Sequence, residues 1–405
     1  MIQERSLSVQ AVALALGTGG AQVLVAVIYI LTARAMLPAD FGVIATAMAL
    51  GAVGAGVLDF GSNSYWIREL ASGRLTRDQL SPRVATRFLL AFAAAITITL
   101  VASLTDSRFI ATGILLLSTT AVTVLLVPLR AARRAELVGI LTATNRAVSI
   151  GSYFVLRFFS VDAGQALWIS IALGDLSLIA YVGIRQRSHL GFGPRRLSNP
   201  WVGAKWYSLS TLSVSAQQLD LPILTACAGA GAAGIYGGVA RWVQPMMLAT
   251  GSFTAAIAPF LAAQADLRAA RSQVLRASWI LIVTILISVG VILIAPWLVH
   301  TLLGPEYVGA TAVLRWLAAA MTLNAIAQPL LAALMSRQFD HVAAVIMLAA
   351  VTMQLATVAA LAPTLGAVSA GVGMFASQSL QIALAVSFTA VCAWRERDSR
   401  PRTET

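Results

Sequence analysis

Residues 84–104 read VATRFLLAFAAAITITLVASL, twenty-one residues whose single charge, Arg87, lies near their first end. A run of that length and polarity crosses a hydrocarbon core, which takes roughly 20 apolar residues. Arg68, Arg74, Arg77 and Arg83 precede it, whereas only Arg108 follows closely on its far side. Working outward, eleven more such segments appear, near residues 8–36, 40–61, 110–129, 135–158, 163–184, 203–228, 232–263, 274–297, 309–336, 340–362 and 366–393. The reading is an all-α polytopic membrane protein of about 12 transmembrane helices.

The basic residues alternate between the connections. Of 28 Lys and Arg residues, 22 fall in the N-terminal tail, the even-numbered connections and the C-terminal tail. The odd-numbered connections hold Arg34, Arg108 and Arg157, and three more, Arg146, Arg241 and Arg315, fall inside predicted helices. By the positive-inside rule the basic side is cytoplasmic, so both termini are expected in the cytosol and the number of spans is even. Trp66, Trp201, Trp206, Trp297 and Trp394 near helix ends fit an interfacial aromatic belt. Arg34 and Asp59, near the ends of the first two helices, read as snorkelling anchors.

Composition excludes other classes. With 59% hydrophobic and 11% charged residues, the chain is far from the soluble range, and no connection is long enough to fold as a separate domain. The net charge of +12 is spread over loops facing anionic lipid, which makes membrane lipids the expected partner and nucleic acid not. Cys227 and Cys392 fall at opposite ends of the membrane and cannot pair. The first apolar segment is too long for a signal-peptide core and is expected to be retained. There is no GxxxxGK[ST] loop, no HExxH and no CxxC, and Lys205 is the only lysine, so neither enzyme activity nor a cofactor is expected. His189, His300 and His341 are too dispersed to suggest a metal site.

The polar break from Arg185 to Pro200 falls after six helices, with six to follow. It divides the chain into an N-terminal six-helix bundle (1–184), a linker (185–202), a C-terminal six-helix bundle (203–394) and a basic tail (395–405), with a central cavity expected between the bundles. A faint repeat supports the division: residues 39–45, containing Phe41-Gly42, and residues 234–240, containing Tyr236-Gly237, open the second and eighth helices in the same way. Pro222, Pro245, Pro259 and Pro329 interrupt helices of the second half, which is therefore expected to bend more.

Charges at bilayer depth are costly unless they face a partner or water. Arg146 and Asp175 come out near mid-depth, Asp220 and Arg241 in the outer half, and Arg315 about two turns into its helix. Two pairings suggest themselves, Arg146 with Asp175 and Asp220 with Arg241. They are either structural ion pairs holding adjacent helices or parts of a wet cavity whose guanidinium forks bind an anionic head group. Asp175 and Asp220 are also candidates for a coupling ion. Gln22, Gln217, Gln218, Gln244 and Asn324, with Asn145 and Gln328, can supply the amide groups that a sugar requires; the plainer reading of each is an interhelical hydrogen bond.

The run Leu31-Thr32-Ala33-Arg34-Ala35-Met36-Leu37-Pro38-Ala39-Asp40-Phe41-Gly42 resembles the end of the first helix and the turn that follows it in polysaccharide flippases of the multidrug, oligosaccharidyl-lipid and polysaccharide exporter superfamily. Gln218-Leu219-Asp220 followed by Ala233-Gly234-Ile235-Tyr236, and Leu303-Gly304-Pro305-Glu306-Tyr307, are similar to the same family. The resemblance implies two six-helix bundles around a basic cavity in the bacterial cytoplasmic membrane. It also implies transfer of a lipid-linked glycan, typically on polyprenyl diphosphate, to the outer leaflet by alternating access. Glycan polymerases or glycosyltransferases of the same pathway would be its partners. The competing readings are a drug or metabolite antiporter on the same scaffold and a membrane-embedded glycan polymerase or glycosyltransferase. The few acidic residues outside, Asp40, Asp106, Asp162 and Glu306, sit on short turns and speak against the last.

Overall fold

The computed structural model describes residues 7–185, 197–242, 279–336 and 339–398. Among them every regular element is helical. α1 (Leu7–Arg34), α2 (Pro38–Asp59), α4 (Arg77–Thr105), α5 (Ile110–Leu125), α7 (Ala135–Phe158) and α8 (Ala163–Arg185) form the first half, with short α3 (Ser62–Ala71) and α6 (Val127–Ala131) between them. The second half has α9 (Lys205–Ala216), α10 (Asp220–Ala240), α11 (Trp279–Leu302), α12 (Ala310–Ser336), α13 (Asp340–Leu365) and α14 (Val368–Asp398). Nine helical stretches among the described residues are long and apolar enough to cross a membrane, and the chain is a multi-pass membrane protein.

α10 is two legs of a hairpin. In a straight helix Asp220 and Tyr236, 16 residues apart, would stand about 24 Å from each other, yet the Tyr236 hydroxyl donates to the Asp220 carboxylate. The chain folds back at Gly229, whose φ of 84° and ψ of 167° belong to a region open essentially to glycine alone. The turn falls between the expected helices 203–228 and 232–263, so the second leg begins at Ala230, and of the second expected helix only the part up to Trp242 is described. Pro245 and Pro259 lie outside the described residues.

Helices of each half pack mainly on one another: α7 on α1 and α8, α5 on α2 and α4, α14 on α12 and α13, and α11 on α12. The halves are joined above all by α2 lying along α10. At that crossing a Cβ on Gly42 would collide with the Ala230 carbonyl, a Cβ on Gly234 would collide with the Pro38 carbonyl, and Gly237 rests on Ala45. All three contacts relate the halves by one constant offset of 192 residues, so Gly42 corresponds to Gly234 and lies on a pseudo-twofold seam. The faint repeat is thereby re-registered by about one helical turn from the alignment of residues 39–45 with 234–240.

The basic side differs from expectation in detail. α4 begins at Arg77 rather than at residue 84, started by Thr76, whose hydroxyl accepts from Gln79 N while the Gln79 side chain accepts from Thr76 N. Arg87 therefore sits on a helix and is fully buried. Its Nη1 donates to Asp59 Oδ1 at 2.8 Å, Asn63 Oδ1 at 2.8 Å and Ser62 Oγ at 2.9 Å, and its guanidinium lies 5.6 Å from the Trp66 ring centroid. Asp59 is thus an ion-pair partner and not an anchor, and Trp66, with no exposed surface, is not part of an interfacial belt. A buried cation needs its counter-ion more than the interface needs either group. Arg74 is bonded to Glu69 at the end of α3 and holds that carboxyl below its usual range through a direct hydrogen bond. Trp297, 64% exposed near the end of α11, does fit a belt. Arg34 Nη1 donates to the Thr301 carbonyl on the opposite side.

Candidate functional site

α1, α2, α5, α7 and α8 surround a cavity of about 450 Å³ in the N-terminal half, reached from the second half by Gln218 and Arg241. Helix period places its lining: Gln22 and Tyr29 project from one face of α1, seven residues apart, and Leu115 and Thr119, four apart, from one face of α5. Arg146 enters from α7. A second cavity of about 260 Å³ shares Gln218 and Arg241 with the first and adds Gln217, Asp220, Tyr236 and Gln354. Gln218 and Arg241 therefore stand where the two spaces meet.

The two arginines are held differently. Arg146 Nη1 lies 3.7 Å from Asp175 Oδ1, which is ion-pair range without a hydrogen bond, and this buried nitrogen has no hydrogen-bond partner. Asp175, buried, is held by Ser118 Oγ, donating at 2.8 Å, and Asn145 Nδ2, donating at 3.0 Å. The carboxylate balances the charge of Arg146 from behind and leaves part of its fork uncommitted. Arg241 stacks over the Tyr29 ring, 5.1 Å from guanidinium carbon to ring centroid, a cation–π contact that fixes the plane of the fork and consumes none of its N–H groups.

Asp220 and Arg241 line one cavity but do not bridge directly. The Asp220 carboxylate accepts from the Tyr236 hydroxyl, from Leu221 N at 2.7 Å and from Gln354 Nε2 at 3.2 Å. Those donors come from both legs of the hairpin and from α13, so a buried carboxylate is satisfied without a salt bridge.

Of the other sequence candidates, Gln22, Gln217 and Gln218 line the cavities. Arg315 does not: it is exposed, and its Nε donates to the Ile292 carbonyl of α11 at 3.2 Å. Counting residues gives depth but not the direction around the helix axis, and Leu314 and Leu317 take the buried face of α12. Asn324 is buried and donates to Gln378 Oε1 at 3.3 Å, a bond between α12 and α14 away from both cavities. Gln244 lies outside the described residues. Tyr29, Thr119, Tyr236 and Gln354 also line these cavities and are not among the site residues expected from sequence. Gln354 left a readable trace, a lone amide in the apolar run of α13. Among the described residues, no group of three or more His, Cys, Asp or Glu is placed to hold a metal.

No protein-family profile and no curated protein sequence matches the chain. Solved structures do. The lipid II flippase MurJ in an inward closed conformation aligns with a TM-score of 0.72 at 11% identity, over 94% of this chain and 87% of that one. An inward-facing multidrug resistance MATE family transporter of the MOP superfamily gives 0.61 at 16% identity, over 99% and 98%. The eukaryotic MATE transporter AtDTX14 gives 0.61 at 15% identity, over 98% of each chain. Likeness at such low identity is a likeness of fold, and the chain has the helical fold shared by MATE family transporters and the MurJ flippase.

Proposed function

We propose that the protein is an alternating-access transporter that carries an anionic lipid-linked glycan, of the polyprenyl diphosphate type, from the cytoplasmic to the outer leaflet of a bacterial cytoplasmic membrane. The observation that carries this reading is the pairing of Arg146 and Arg241 on one cavity with Gln22, Gln218 and Thr119. Two incompletely committed guanidinium groups suit phosphate oxygens, and the amide and hydroxyl groups suit sugar. No carboxylate lines that larger cavity among the described residues, and the one in the smaller, Asp220, already accepts three hydrogen bonds. An uncompensated ion in hydrocarbon costs on the order of tens of kcal/mol by Born estimates, so a cationic chamber is what such a substrate needs. In this reading residues 1–184 and 203–394 move as two bodies, both termini are cytoplasmic, and the membrane potential favours outward transfer of negative charge by about 2.3 kcal/mol per charge per 100 mV. Asp220, within the second cavity, is the better candidate for a coupling ion than Asp175, which Arg146 already neutralises.

A second reading, a drug or metabolite antiporter, draws on the same Asp220, since an acidic group beside Tyr236 suits an organic cation. Reconstitution into vesicles with a fluorescent lipid-linked oligosaccharide in one arm and a cationic dye in the other separates the two. The glycan reading expects protein-dependent flipping of the lipid, lost in Arg146→Ala and Arg241→Ala. Dye transport with no lipid flipping would replace it by the antiporter.

A further inference from the structure

A third space lies on the opposite side of the cavity wall. α4 and α8 both pack on α5, leaving a furrow of about 590 Å³ between them with α5 as part of its floor. Its lips carry Phe92, Ile96 and Leu100 of α4 and Trp168, Leu173 and Leu176 of α8, while Ala95, Ala121 and Ala172 make the floor shallow in bulk. Phe92 is 54% exposed, Leu100 59% and Leu176 57%, although all three sit in helices that cross the membrane. The furrow therefore opens onto bilayer hydrocarbon and not onto water.

We propose that this furrow is a binding site for the acyl chain of a bilayer phospholipid. It offers a ligand almost nothing polar: of the two hydroxyl residues on its wall, Ser118 has its hydroxyl directed inward to Asp175. An empty recess there would forfeit dispersion contacts on every lining atom, and water cannot fill it, which leaves a flexible hydrocarbon chain. A membrane helix is the poorer occupant, because helices meet in membranes across small residues that permit close backbone approach, and these lips are aromatic or branched.

The geometry also separates this lipid from the cargo. α5 and α8 are two-sided walls: Leu115 and Thr119 face the arginine cavity while Leu117 and Ser118 face the furrow, and Ile171 faces the cavity while Ala172 faces the furrow. The layer between the two spaces is tied by Ser118, Asn145 and Arg146 converging on Asp175. A tail attached to a head group in the cavity has no passage through that layer, so the occupant is a resident lipid.

The test uses the full chain in nanodiscs of phosphatidylethanolamine and phosphatidylglycerol containing a trace of phospholipid with a diazirine on its acyl chain, irradiated and mapped by peptide mass spectrometry. The expected label concentrates on Ala95, Leu117 and Ala172, above Leu286 and Leu293 of α11, which are at least as exposed to the bilayer. Ala172→Phe, which fills the furrow, should lower that label severalfold and leave the α11 label unchanged; Ala121→Leu serves if the first variant does not fold. Labelling equal to that of α11, or unaffected by filling, overturns the proposal. So does displacement of the phospholipid label by polyprenyl phosphate, which would hand the furrow to the substrate.

Discussion

The hydroxyl of Tyr236 donates to the carboxylate of Asp220 across a hairpin whose legs separate these residues by 16 positions. With the hydroxyl gone, the carboxylate keeps only Leu221 N and Gln354 Nε2. Tyr236→Phe should cost about 1–3 kcal/mol, the penalty for under-satisfying a buried polar group. Adding Asp220→Asn removes the charge that needed the donor, so the double variant should lose less than the sum of the two single ones. Thermal unfolding of the four proteins in detergent measures this.

Gly229 sits at the apex of that hairpin in a conformation that residues with a Cβ avoid. Gly229→Ala meets no steric neighbour, so its cost is conformational alone, about 1–3 kcal/mol. A lowered unfolding temperature checks it.

Asp175 and Arg146 should fail in different ways. Asp175→Ala removes the acceptor of Ser118 and Asn145 as well as the charge beside Arg146, and should deplete folded protein. Arg146→Ala leaves Asp175 with both of its hydrogen bonds but without its counter-ion, so it should lower folded protein less than Asp175→Ala does, while transport by the protein that remains is lost. Size-exclusion yield and vesicle flipping, measured on the same preparations, tell the two apart.

Arg315, outside the cavities, predicts a silent change. Arg315→Ala should leave transport within the scatter of the unaltered protein, whereas Arg241→Ala, which empties the place above Tyr29, should abolish it. Initial rates of lipid flipping are the measurement.

Arg87 uses one nitrogen, Nη1, for all three of its hydrogen bonds, while its buried Nε and Nη2 have none. Arg87→Met leaves the Asp59 carboxylate with Ser62 Oγ and Asn63 N but without its counter-ion, and should cost about 3–5 kcal/mol. An ammonium can serve the same three acceptors, so Arg87→Lys should retain most of the stability. Denaturation midpoints of the two variants decide it.

Hydrophobic length made the long helices legible, because lipid leaves few alternatives for an apolar run of twenty residues. α3 is not legible by the same rule, because its ten residues, with Arg68 and Glu69 among them, are too few and too polar to form an apolar segment; only the spacing of Trp66 and Leu70 marks a helix with a buried face. The ion pair of Asp59 with Arg87 is not legible either, since its partners lie 28 residues apart near the ends of two different apolar segments. In the candidate site, depth brought Arg146 to the level of Asp175. Depth alone could not tell that Arg315 points away, nor that Tyr236 and not Arg241 would take the Asp220 oxygen. Those depend on azimuth and on the sharpness of one turn.

Where Gly42 and Gly234 meet, peptide backbone rests on peptide backbone. Such a closure contains nothing for salt to screen or for protons to titrate. Its strength should be the same in brine as in dilute buffer and the same in acid as at neutrality, so any response of this protein to ionic conditions must originate elsewhere.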